Sequence, residues 1–260
     1  MKINVLTENT SKNNTLGFEH GLSLYIETEK HKILFDMGQS SLFTDNAVKM
    51  GIDLAQVDIA ILSHGHYDHG GGIKAFLELN SNAPVYLSKY AFEPHYNAKD
   101  KYIGLDISLE NSDRLLFTDD ITVIDDELTL YSSTTVIHKY DAPFSGLSVE
   151  TNGALVPEDF RHEQYLMINE KGKRILISGC SHNGILNIAH HFKPDILIGG
   201  FHFMKIVDSE YLTNAANTLL TYSTQFYTCH CTGVEQYEQL KSTMGDKLSY
   251  LSTGDELIHP

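Results

Sequence analysis

Cysteine is scarce in this 260-residue chain, which holds three in all: Cys180, Cys229 and Cys231. An odd, small count in a chain of this length argues against a disulfide framework, and reduced thiols are expected. Positive charge is short too, with 19 Lys and Arg against 34 Asp and Glu and a formal net charge of -15. Such a surface repels phosphate backbones, so nucleic acid is not expected as a partner. Lys74, Lys89, Lys99, Lys101, Lys139 and Lys205 read as solvated groups that leave room for a locally positive pocket. No apolar stretch approaches the roughly 20 residues that span a bilayer, so no membrane partner is expected either. Residues 1–7 turn polar at once and lack the apolar core and small-residue cleavage site of a secretory signal. A cytoplasmic location follows by default.

What the chain does have is ample apolar material, 42% of its residues, enough for a substantial core. It reads as a single domain over 1–260, or as two fused halves of similar build. Its densest chemistry is Ser63-His64-Gly65-His66-Tyr67-Asp68-His69-Gly70-Gly71-Gly72, placed directly after the apolar run Val57-Asp58-Ile59-Ala60-Ile61-Leu62. Three imidazoles and a carboxylate lie within six residues at the end of a predicted strand. Neutral imidazole and carboxylate are the ligands that zinc, non-haem iron and manganese accept, and a mononuclear site needs only three or four of them. Residues i and i+2 on extended backbone point the same way, so His64 and His66 can share one ion, and Asp68 and His69 can face a second. A dinuclear site is the natural reading, and the neighbouring glycines let backbone approach closely.

Predicted strands lie at 3–6, 22–27, 33–36, 57–62 and 85–87, with a helix over 45–50 and another over 73–79 that starts at the triple glycine. A helix start there would turn N–H groups toward an anionic ligand. Residues 91–120 are less regular and read either as a cover for the active-site mouth or as a plain surface insertion. Strands are expected again at 121–124, 128–131, 165–168, 174–178, 195–199, 225–228 and 247–251, the last of the chain. Helices fall at 184–191, 209–220 and 233–244. Strands and helices alternating in two halves suit an α+β, four-layered αββα sandwich with ligands on loops at one sheet edge.

The H-x-H-x-D-H spacing resembles that of the metallo-β-lactamase superfamily. The resemblance implies further ligands at later strand ends. In most members the strand corresponding to Arg174-Ile175-Leu176-Ile177-Ser178 runs on to an aspartate that bridges the metals, where this chain has Cys180. Either its thiolate ligates zinc or it is a buried packing residue. His182 follows and is the preferred ligand over His162, which stands in Asp159-Phe160-Arg161-His162-Glu163-Gln164. His230, in Thr228-Cys229-His230-Cys231-Thr232-Gly233, matches the last metal histidine, with Cys229 and Cys231 read as packing residues and a Cys-His-Cys metal clip, strained by adjacency, as the alternative. Asp36, in Leu34-Phe35-Asp36-Met37-Gly38, corresponds to the first motif and is expected to accept the N–H of a ligating histidine.

Glu19-His20-Gly21, Phe35-Asp36-Met37-Gly38, Ser178-Gly179-Cys180-Ser181-His182-Asn183-Gly184, Gly199-Gly200-Phe201-His202 and His230-Cys231-Thr232-Gly233 together resemble the branch named for dihydropterin ribofuranosylaminobenzene phosphate synthase. Glu19, His20 and His202 are read as substrate-binding. The implied activity is that of a metallo-hydrolase with two divalent ions, zinc first and iron or manganese as alternatives. Its attacking group would be a metal-bound hydroxide and Asp68 its catalytic carboxylate. The substrate would be a small molecule, with an anionic or phosphorylated one suited to the site. A pterin-related synthase or transferase, a metal-dependent binding or sensing protein, and a diiron oxidoreductase are the alternatives. The last would carry an electron partner such as a flavodoxin domain, and none is expected from these 260 residues.

Overall fold

Short aliphatic runs punctuated by Gly, Asn and Asp fold as strands with tight connections. The computed structural model describes residues 1–142 and 146–258. In chain order the strands are β1 (Lys2–Thr7), β2 (Ser23–Glu27), β3 (Lys32–Phe35), β4 (Ile59–Ile61), β5 (Val85–Ser88), β6 (His95–Tyr96), β7 (Leu115–Thr118), β8 (Ile121–Val123) and β9 (Leu128–Ser132). They continue with β10 (Ser148–Thr151), β11 (Ala154–Pro157), β12 (Gln164–Glu170), β13 (Lys173–Ile177), β14 (Ile196–Gly199), β15 (Gln225–Thr228), β16 (Leu248–Tyr250) and β17 (Glu256–Ile258). The α-helices are α1 (Leu42–Lys49), α2 (Tyr67–Gly70), α3 (Ile73–Leu79), α4 (Ile185–Phe192), α5 (Ser209–Leu220) and α6 (Val234–Met244). No helix among the described residues is long and apolar enough to cross a membrane.

The chain divides into two compact units. The first holds Met1–Asp119, Ser145–Gln164 and Ser252–Pro260, and the second Asp120–Phe144 and Tyr165–Leu251. In the first, seven strands lie in the order β17-β1-β2-β3-β4-β5-β7. The β1–β2–β3 meander is antiparallel, whereas β3, β4, β5 and β7 run parallel. Parallel neighbours end on one edge of the sheet, so Asp36 after β3 and Ser63 after β4 emerge side by side. Phe43 and Ala47 of α1 and Ile73 and Phe76 of α3 bury against Leu34, Ala60 and Val85. Each fully buried phenylalanine contributes about 2–3 kcal/mol of apolar transfer, which anchors the strand ends that carry the histidines.

A three-stranded sheet, β11-β10-β6, completes that unit. Its hairpin turns at Asn152 and Gly153, whose φ values of 54° and 78° belong to the left-handed region that Asn and Gly tolerate best. Across it, Val149 pairs with His95, and Ser148 with Pro157.

The second unit has the order β16-β15-β14-β13-β12-β9-β8, with β13 to β16 parallel. Ile185 and Ile188 of α4, Leu212 and Leu219 of α5 and Leu240 of α6 pack on Leu176, Leu197 and Phe226. Asp208 caps α5 by accepting from the Glu210 and Tyr211 amides.

Several elements depart from the sequence reading. Helix α1 starts at Leu42 rather than 45, because Ser40 Oγ accepts the Leu42 amide and supports an earlier turn. The 91–120 stretch contains β6 and β7, the latter an edge strand parallel to β5. Strand β16 is not the last, since β17 returns to pair with β1. The hairpin of β10 and β11 was not anticipated.

Candidate metal centre

The first unit gathers its polar chemistry at the carboxyl ends of β3 and β4. Asp36, fully buried and held at a φ of 58°, turns its carboxylate toward the neighbouring strand end. It accepts the Ser63 amide at 2.7 Å, the Ser63 hydroxyl at 2.8 Å and His69 Nδ1 at 2.6 Å. Because the Ser63 hydroxyl donates to Asp36, its oxygen is the acceptor for His64 Nδ1 at 2.8 Å. Both rings therefore carry their protons on Nδ1, and Nε2 bears the lone pair that a metal requires. The ring centroids of His64 lie 4.2 Å from His69 and 4.7 Å from His66.

Asp68 presents Oδ2 at 3.9 Å from His69 Nε2 and 3.2 Å from His20 Nε2. His20 reaches it because Gly21, at a φ of 157°, packs against the Asp68 carbonyl. A Cβ there would stand 2.5 Å from that oxygen, which also accepts the Leu22 amide. Glu19 holds the loop after β3, accepting from the Gln39 and Ser40 amides and the Ser40 hydroxyl. The triple glycine serves close packing: a Cβ on Gly72 would meet the Met37 carbonyl at 2.1 Å. The expected N–H array at this point is reduced, because α2 intervenes and the Gly71 and Gly72 amides donate to Tyr67 and Gly38 carbonyls.

A second buried carboxylate lies beside the motif. The Glu158 side chain, 1% exposed, accepts from His95 Nδ1 at 2.9 Å and stands 3.3 Å from His162 Nε2 and 3.8 Å from His66 Nε2. Burial alone would push its carboxyl up, but His162, His66 and His95 outweigh that and hold it below the usual carboxylate range. Burial pushes His162 down to about 3 and lowers His66. These four residues offer ligand atoms within 4.8 Å of one another. One observation argues against an ion among them: His162 Nδ1 accepts the Gly65 amide at 2.8 Å, which puts the His162 proton on Nε2. His95 stacks on His162, with centroids 4.1 Å apart at 28°. The sequence reading missed His95 and Glu158; the Asn152-Gly153 pair was the available signal for the hairpin that delivers Glu158.

In the second unit the candidates follow parallel strands β13, β14 and β15 and so share an edge. Ser181, His202 and His230 have φ values of 59°, 56° and 49°, a conformation costing about 1–2 kcal/mol each for a side-chain-bearing residue. Such strain at three successive strand ends marks a constrained site. His182 and His202 rings stand 4.3 Å apart. Cys180, His230 and Cys231 bring ligand atoms within 4.8 Å, and Cys231 Sγ donates to the Cys180 carbonyl at 3.5 Å. The left-handed turn at His230 folds Cys231 back toward Cys180, and both Cys231 and Cys229 are buried, as packing residues are.

The donor set fits divalent metal: buried neutral imidazoles, with Nδ1 braced in His64 and His69, and the carboxylate of Asp68 beside them. A sequence model of the metallo-β-lactamase superfamily matches residues 16–149. An uncharacterized protein of Methanocaldococcus jannaschii, MJ0448, is 30% identical over 92% of this chain and 93% of its own. From the same organism, 7,8-dihydropterin-6-methyl-4-(β-D-ribofuranosyl)-aminobenzene-5'-phosphate synthase is 29% identical over 98% of this chain and 95% of its own. The crystal structure of Tm1679, described as a metal-dependent hydrolase of the β-lactamase superfamily, superposes with a TM-score of 0.85 at 31% identity, covering 100% of this chain and 99% of that one.

Proposed function

Because this chain belongs to the metallo-β-lactamase superfamily and has its α+β fold, we propose that it is a metal-dependent hydrolase of a small molecule. The observation that carries this reading is the Asp36–Ser63 bracing of His64 and His69, which fixes two buried imidazoles in the ligating tautomer. The ligands proposed are His64, His66, Asp68 and His69, with His182 and His230 and, as an additional thiolate, Cys180. Two divalent ions, zinc first, would supply Lewis-acid activation of water and of a substrate carbonyl or phosphoryl oxygen.

The chain's own residues orient and move protons around that chemistry. Asp68 is the proposed carboxylate that aligns the attacking water and returns a proton to the leaving group. His20, 3.2 Å from Asp68 Oδ2, is the proposed partner in exchanging that proton, a reading the separation supports. Substrate contacts are proposed for His20 and His202, with Glu19 holding the Gln39-Ser40 loop. The net charge of -15 supports a small-molecule substrate over a nucleic acid.

Asp68→Asn is expected to keep the fold while lowering hydrolysis of the best substrate in a panel of esters, lactones and phosphoesters by about 10²–10⁴-fold. Unchanged turnover would remove Asp68 from the chemistry. Elemental analysis of the purified protein is expected to give two ions per chain, and one ion would remove the dinuclear part. A pterin-related synthase is the second reading, favoured by the relative of that name matching 98% of this chain. Formation of a dihydropterin conjugate without hydrolysis of any panel member would favour it over the first.

A further inference from the structure

We propose that Glu158 is a positioning residue for His66, the carboxylate that fixes which nitrogen of that ring meets the metal. The inference rests on the metal reading above and adds a residue to it.

The argument starts from a contrast within the motif. His64 and His69 both give their Nδ1 protons to outer acceptors, which leaves Nε2 for an ion. His66 is turned the other way: its Nε2 faces Glu158 Oε2 at 3.8 Å. At 3.8 Å the pair is not hydrogen-bonded, but a ring that carried its proton on Nε2, the nitrogen nearer that carboxylate, would offer Nδ1 as its lone pair. A movement of ring or carboxylate of under about 1 Å would bring the pair to hydrogen-bond distance.

Glu158 is itself anchored. Its two oxygens lie 2.9 and 3.1 Å from His95 Nδ1. His162 presents Nε2 at 3.3 Å and is locked in that orientation by the Gly65 amide on Nδ1. Gly65 sits between His64 and His66, so the contacts close on themselves: Gly65 amide to His162, His162 to Glu158, Glu158 to His66. Side-chain exposures of 4%, 1%, 0% and 0% for His66, Glu158, His95 and His162 leave this ring dry. In a dry site a carboxylate–imidazole contact is both strong and directional. Outer carboxylates of this kind raise ligand basicity, and losing one costs about 10–100-fold in metal affinity.

The test compares wild type with Glu158→Gln and His95→Phe. Zinc affinity is read by competition with a chromophoric chelator, ion count at saturating zinc by elemental analysis, and folding by circular dichroism without metal. Glu158→Gln is expected to bind one ion about 10–100-fold more weakly, with the ion count unchanged. His95→Phe leaves the carboxylate in place but removes its anchor, and a smaller weakening of the same ion is expected. Should the Gln variant fail to fold, the His95→Phe result decides. Unchanged affinity in a folded variant would overturn the role. Complete loss of one ion at saturating zinc would overturn it too, by making Glu158 a direct ligand. Wild-type protein that takes up no zinc would overturn this inference and the metal reading together, whereas zinc-binding wild type with an indifferent Gln variant overturns this inference alone.

Discussion

Two buried carboxylates flank the same histidine motif, and they are held in different ways. Asp36 is fixed by the sheet: it leaves β3 beside the end of β4 and takes three hydrogen bonds between 2.6 and 2.8 Å, one from the Ser63 main-chain amide. Glu158 comes from the end of a hairpin far along the chain, and side-chain imidazoles at 2.9, 3.3 and 3.8 Å surround it. Strand register places the first; side-chain packing places the second. A carboxylate set by backbone has little freedom, so it suits a permanent brace. One set by neighbouring rings can follow a ligand's movement.

The sharpest way to break that contrast is at Asp36. In Asp36→Asn one oxygen becomes an NH₂ that confronts the donors His69 Nδ1 and Ser63 Oγ. Leaving a buried donor without its acceptor costs about 1–3 kcal/mol, and the zinc affinity is expected to fall by about 100-fold. Urea unfolding of metal-free protein reads the first and chelator competition the second. If Asp36→Asn destabilised no more than Glu158→Gln, the distinction between a backbone-set and a side-chain-set carboxylate would collapse.

The same distinction explains what could be read in advance. The contact of Asp36 with a motif histidine spans 33 residues and was expected from the family resemblance, whereas the His64-to-His69 spacing and the apolar run before it, whose β4 residues are all buried, are local features. Most helices and strands were legible for the same reason, and α5 and β15 came out at their expected bounds. Glu158 was not legible, because nothing near Pro157-Glu158-Asp159 carries periodicity and its partners come from three separate segments. The approach of Cys231 to the Cys180 carbonyl was not legible either, because alternation assumes extended backbone and His230 is in the left-handed region. β17 was missed because only three residues pair, through a register with β1 that no local pattern displays.

Acid sharpens the comparison at the Glu158 side. With a folded pKa of about 3, His162 stays neutral down to that pH, while in the unfolded chain it takes up a proton near 6.5. Between those values the unfolded state binds the extra proton, so stability falls as pH falls, by at most about 1.4 kcal/mol per pH unit for each such proton. Glu158 acts in the same direction below its ordinary value of 4.5, where the unfolded carboxyl is protonated first. Metal-free protein is therefore expected to lose stability from about pH 6.5, and more steeply below 4.5. The His162→Gln variant should show a flatter slope between those two points. Denaturant midpoints across a pH series measure it; an unaltered slope in the variant would assign the acid sensitivity to other groups.

The smallest effect tests how Glu158 is delivered. Gly153, at a φ of 78° with nothing within 4 Å of where a Cβ would stand, shapes the turn between β10 and β11. Gly153→Val therefore meets no clash and suffers only the backbone penalty of about 1–2 kcal/mol. The hairpin places Pro157 opposite Ser148, and the Glu158 amide donates to the Leu147 carbonyl, so loosening the turn loosens the carboxylate. Zinc affinity is expected to drop a few-fold, less than in Glu158→Gln, while Gly153→Asn, which tolerates this φ, leaves it near wild type. A Val variant that is destabilised yet binds zinc as wild type would show that the imidazoles of His95 and His162 hold Glu158 without help from the hairpin.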